Sequence, residues 1–162
     1  MSGLASALGK KFVQNKEEIR TREFQLGGHT FKVRVPLTVE VEATQKKIKD
    51  LDEELVEKYY QELTKDLQAN KKDMPEELKV VYKDNDIIVD GRSMREASRN
   101  KVLMESRIVE MFKLLVPEDK GFDMETITYK DVDELFPLSI QMQVVEAISE
   151  VISFNYTANK EK

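Results

Sequence analysis

Apolar and polar residues alternate along two short runs early in the chain, and the alternation then gives way to helical spacing. Glu23-Phe24-Gln25-Leu26 and Thr30-Phe31-Lys32-Val33-Arg34-Val35 carry apolar side chains at every second position, the period of a half-buried strand. Gly27-Gly28 between them supplies the positive φ that a tight hairpin turn needs. Pro36 lacks a backbone donor and ends the second strand. From Thr38 to about Asn70, Ile48, Leu51, Leu55, Tyr59, Leu63 and Leu67 recur at three- and four-residue steps. That spacing predicts one long helix with a single apolar face and a charged outer face.

The same reading extends to both ends. Leu4, Leu8 and Phe12, with Ile19 in step, predict a short amphipathic N-terminal helix. It is either docked on the body, the plainer reading, or an arm for a neighbouring subunit. Asn70 to Pro75 reads as a loop. Leu78 to Tyr82 and Ile87 to Val89 predict a second short hairpin about Lys83-Asp84-Asn85-Asp86, followed by an Asp90-Gly91 turn. Ser93 with Glu96 has the spacing of a capping box opening a helix to about Leu115, with Met94, Ala97, Met104, Ile108, Met111, Phe112 and Leu115 on its apolar face. Thr128 with Asp131 starts a short helix ending near Phe136, and Pro137 opens the last helix. The pattern predicts an α+β fold: a mostly helical single domain over 21–156, with an N-terminal β-hairpin and a second short hairpin. Residues 1–20 form the helix or arm and 157–162 a polar tail.

Composition narrows the chemistry. The 162 residues are 35% charged, with a net charge of -5 and no cysteine. No cysteine means no disulfide, thiolate metal site or cysteine nucleophile. No apolar run approaches the length that spans a bilayer, and the first residues lack the pattern of a signal peptide. The acidic balance opposes nucleic acid except through a local basic patch, for which Arg92, Arg95, Arg99 and Lys101 are the best candidates. Their plainer role is to pair with the acidic run Asp50 to Glu57. His29, the only histidine, sits at the first hairpin turn without the partners that a hydrolytic triad or a zinc site requires. Asp84-Asn85-Asp86 departs from a calcium loop at Ile88 and Val89 and reads as turn chemistry. Gly27-Gly28 leads into a strand, so it is no phosphate cradle. No catalytic, cofactor-binding or metal site emerges, and the chain reads as non-enzymatic. The remaining candidate is an apolar surface for another protein. Leu138, Met142, Val145, Ile148 and Ile152 form a helical stripe rimmed by Gln141, Gln143, Glu146 and Glu150.

The order of parts resembles tail assembly chaperones of long-tailed bacteriophages. The resemblance rests on Gly27 to Pro36, with its Arg34-Val35-Pro36 step, on the charged helix that follows, and on Leu135-Phe136-Pro137-Leu138 with Ile140-Gln141 and a closing apolar helix. It implies a protein of the host cytoplasm, without cofactor or catalytic residues. Such a protein coats the helical tape-measure protein until tail-tube subunits replace it, using an exposed apolar stripe in the helix-in-groove manner. Tape-measure protein is then the main partner, with tail-tube protein and further copies of the chain as others. Membrane has no part, and nucleic acid is disfavoured. Two alternatives stand beside it: an oligomeric virion structural or adaptor protein, and a small nucleic-acid-binding regulator.

Overall fold

The computed structural model describes residues 3–73 and 75–157. The fold is α+β and mostly helical, with an N-terminal hairpin. It divides into two compact units, residues 1–44 with 108–162, and residues 45–107. Both boundaries fall inside helices. The span 21–156 thus holds parts of both units, and the residues before it belong to the first. Of the polar tail, Thr157 is described and 158–162 lie outside the described residues.

The first unit begins with α1 (Gly3–Leu8) and α2 (Lys10–Ile19), one amphipathic segment broken at Gly9, whose φ of 101° favours glycine. Strands β1 (Thr21–Leu26) and β2 (His29–Arg34) pair antiparallel, with Leu26 opposite His29 around Gly27-Gly28. Both glycines have positive φ, 59° and 80°, the mirror-image turn whose twist suits a hairpin. Val33 is fully buried, and Phe24 stacks on Phe31 with ring centroids 5.1 Å apart. A two-residue strand, β6 (Leu115–Val116), extends this sheet beyond β2.

The passage from hairpin to helix is tied by one carboxylate. Glu40 lies in the first turn of α3 (Thr38–Lys49), where negative charge suits the helix dipole. Arg34 reaches its Oε2 at 2.6 Å and Arg20 its Oε1 at 2.9 Å, while Arg20 Nε donates to the Val35 carbonyl. The Arg34 hydrogen bond holds the Glu40 carboxyl below its usual pKa against the opposing effect of burial. Arg34-Val35-Pro36 is therefore a corner with a structural task.

The rest of this unit comprises a 3-10 turn at Met124–Thr126, α6 (Tyr129–Leu135) and α7 (Leu138–Val151). Thr128 and Asp131 form the full reciprocal capping box that their spacing implies.

In the second unit, α4 (Glu53–Ala69) is a separate helix, so the long helix expected from Thr38 to Asn70 is two. Asp52 accepts the N–H groups of Glu54 and Leu55, capping a new start after the break at 50–52. The inward side chains are Ile48, Val56, Tyr60 and Thr64, while Leu63 is half exposed. Ile48 is buried as expected, whereas within α4 the buried positions each lie one residue after an expected one. Strands β3 (Val80–Tyr82) and β4 (Ile87–Val89) form the second hairpin, which β5 (Arg92–Ser93) extends across the Asp90-Gly91 turn. Helix α5 (Met94–Phe112) starts in this unit and ends in the first, three residues short of Leu115, which belongs to β6. Ser93 Oγ accepts the Glu96 N–H at 3.0 Å, as the capping pattern implies. Its own hydroxyl donates to Asp86, whose other oxygen accepts the N–H groups of Arg95 and Ile87.

Candidate partner-binding surface

Helix α7 has two unlike faces. Gln141, Val144, Ile148 and Val151 are buried, at steps of three and four that mark one side of a helix. Gln141 is a buried polar group with every hydrogen-bonding atom engaged. Its amide donates to the Phe136 carbonyl (2.8 Å) and to Asp133 (3.2 Å), and its oxygen accepts the Tyr129 hydroxyl (2.9 Å). These bonds lock α6 to α7 through the Phe136-Pro137 corner. At the far end, Arg22 of β1 donates to the Val151 carbonyl at 2.6 Å and lies over the Tyr156 ring. An arginine thus satisfies the free carbonyls at the C-terminus of α7.

The other face is outward. Leu138 is 46% and Met142 45% exposed, and Leu135, at the end of α6, is 75% exposed. Val145 and Ile152 are partly covered and lie along the border of this face. Ile148 is fully buried, which removes it from any docking surface. Gln141 leaves the rim for the same reason. The sequence stripe therefore mixed two faces roughly a quarter-turn apart, and the helix period of 3.6 residues separates them. Leu135, directly before the Phe136-Pro137 corner, is a further exposed apolar side chain outside that stripe. From Tyr129 to Val151 the carboxylates Asp131, Asp133, Glu134, Glu146 and Glu150 stand against Lys130 alone; Asp131 is engaged in the α6 cap and Asp133 by Gln141, while Glu146 and Glu150 are exposed on α7.

The basic cluster of the second unit has a different character. Arg95 pairs with Glu57, lies 3.9 Å from the centroid of the Tyr60 ring, and donates to the Asn85 carbonyl. Arg99 pairs with Glu53 at 2.9 Å, and Lys101 lies over Tyr59, whose hydroxyl donates to the buried Glu105. The hydrogen bond from Arg95 is the main reason that the Glu57 carboxyl falls below its usual pKa. Arg95 and Arg99 thus pair with carboxylates of the acidic run, as the plainer sequence reading holds, whereas Lys101 lies over an aromatic ring. A polar cleft of about 480 Å³ beside them includes Tyr60, Lys71, Tyr82, Asp84 and Arg95 in its lining. His29 is exposed and packs edge-on against Phe31 at 4.6 Å, the contact of a turn residue. Among the described residues, no three His, Cys, Asp or Glu side chains are placed to hold a metal ion, and no helix is long and apolar enough to cross a membrane. No protein-family model, curated protein or solved structure matches the chain.

Proposed function

We propose that this protein is a non-enzymatic tail assembly chaperone that binds and solubilises the tape-measure protein before tail-tube subunits polymerise around it. The observation that carries the reading is the outward side of α6 and α7, where Leu135, Leu138 and Met142 stand exposed, with exposed Glu146 and Glu150 further along α7. Exposed apolar side chains grouped on a rigid helix are what a helix-in-groove partner requires. A methionine among them suits a surface that must accept many stretches of one long helix. Contacts this small are individually weak, and repetition along the tape measure supplies avidity while leaving each copy displaceable.

Co-expression with the tape-measure protein of the same genome tests the reading. The expected outcome is a soluble complex containing both chains; an insoluble tape measure with no complex contradicts it. The alternative of a permanent virion component draws support from the exposed Leu4 and Leu8 of α1, which suit subunit contacts. Finding the chain in purified virions would favour that alternative, because a chaperone leaves. The nucleic-acid reading is the weakest of the three, since Arg95 and Arg99 are already engaged with Glu57 and Glu53.

A further inference from the structure

The N-terminal segment is seated only lightly, through α2 against β1. No residue of α1 or α2 is buried, and Leu4 (70% exposed), Leu8 (54%) and Ile19 (66%) all face solvent. Its charge up to residue 16 is purely basic, from Lys10, Lys11 and Lys16, and the first carboxylates are Glu17 and Glu18. The bend at Gly9 leaves a hollow of about 310 Å³ bordered by Ser6, Lys10, Val13 and Gln14. An exposed apolar helix of this length is only marginally stable in water unless something covers it.

The outward face of α6 and α7 has the opposite charge and the same apolar content. Among the described residues, Lys10, Lys11, Glu146 and Glu150 are exposed and have no ion-pair partner within the chain. We infer that the α1–α2 arm of one copy docks on the outward α6–α7 face of another. Leu4 and Leu8 meet Leu135, Leu138 and Met142 there, and Lys10 and Lys11 meet Glu146 and Glu150. Arm and seat are different surfaces, so the contact is head-to-tail and repeats from copy to copy, giving a ring if the rotation closes and a filament if it does not. This self-association stands apart from the tape-measure reading. If both hold, arm and tape-measure helix compete for one face, and the arm keeps that face covered until the partner arrives.

Charge reversal tests the inference on the full chain. Sedimentation over a concentration series should show wild-type protein assembling above the 18.8 kDa monomer mass. The double variants Lys10→Glu/Lys11→Glu and Glu146→Lys/Glu150→Lys should each weaken assembly about tenfold or more in midpoint concentration, since like charges then meet across the contact. Each variant alone has arm and face of the same sign. Mixing the two restores opposite charges at every contact, so the mixture should assemble again. Circular dichroism checks that the variants are folded, and all four positions are exposed. Wild-type protein that stays monomeric at every concentration overturns the inference. So does assembly that both variants leave intact, and so does a mixture that stays dissociated. If the reversals impair only tape-measure capture while assembly persists, the face belongs to that partner and the arm has no seat there.

Discussion

The two units pair their charges alike but differ in how much apolar surface they expose. Residues 45–107 pair their charges and cover their aromatic rings: Arg95 with Glu57 and Tyr60, Arg99 with Glu53, Lys101 with Tyr59, Lys71 with Tyr82. Among the described residues they expose three large apolar side chains, Leu63, Leu78 and Val81, against twelve in the other unit. That exceeds what the larger size of the other unit explains. Exposed apolar side chains scattered singly are ordinary, but grouped ones mark contact surfaces. The comparison teaches that cationic clusters and binding surfaces are separate matters here. Arg95 and Arg99 serve the fold of their own unit, whereas exposed apolar side chains stand on the plainer helix near the end of the chain.

The largest expected effect contrasts the two faces of α7. Ile148→Ala should cost about 2–5 kcal/mol in urea unfolding, the range for a large-to-small core change. Met142→Ala should stay within about 0.5 kcal/mol, as surface changes do. Similar losses for both would erase the distinction between inward and outward faces. Next is Gln141→Ala, which removes a fully buried side chain and its hydrogen bonds to the Tyr129 hydroxyl, Asp133 and the Phe136 carbonyl; a loss of roughly 1–3 kcal/mol in urea unfolding is expected.

A capping effect in the second unit comes third. Asp86→Ala removes the acceptor for the Ser93 hydroxyl and for the N–H groups of Arg95 and Ile87, and should cost about 0.5–2 kcal/mol, as lost caps do. Burial alone would raise the Asp86 pKa and is the largest single influence, but these hydrogen bonds together with the Arg95 charge outweigh it and leave the carboxyl below its usual range. A carboxyl depressed in the folded state stabilises fully above its unfolded pKa, and that stabilisation fades as pH falls through the lower folded value. Acid titration of stability should therefore show a shallower loss in Asp86→Ala than in wild type. The smallest effect is Arg99→Ala, whose exposed pair with Glu53 should contribute at most about 1 kcal/mol and less at high salt.

The hairpin was legible in the sequence because its signals are local. Alternation, Gly-Gly and Pro36 each act within a few residues, and strand pairing follows the turn. The Thr128–Asp131 cap was legible for the same reason. The break at Asp50 to Asp52 was not, because one capping aspartate is hidden among many carboxylates in a run whose apolar period continues across it. Strand β6 has two residues and exists only through pairing with β2, a contact far away in sequence. The α7 stripe misled because the helix is apolar over much of its circumference and its buried side includes Gln141. Polarity alone placed that glutamine outside, whereas three hydrogen bonds hold it inside. On α7, Leu138 and Met142 face outward as the stripe implies, Val145 and Ile152 are partly covered, and Ile148 is buried.

We propose that the outward face of α6 and α7 receives the tape-measure helix. The most direct measurement compares capture of tape-measure protein by wild type and by the double variant Leu138→Asp/Met142→Asp, with matched circular dichroism to show an unchanged fold. The account predicts that the variant remains folded and loses capture. Equal capture by a folded variant would contradict it.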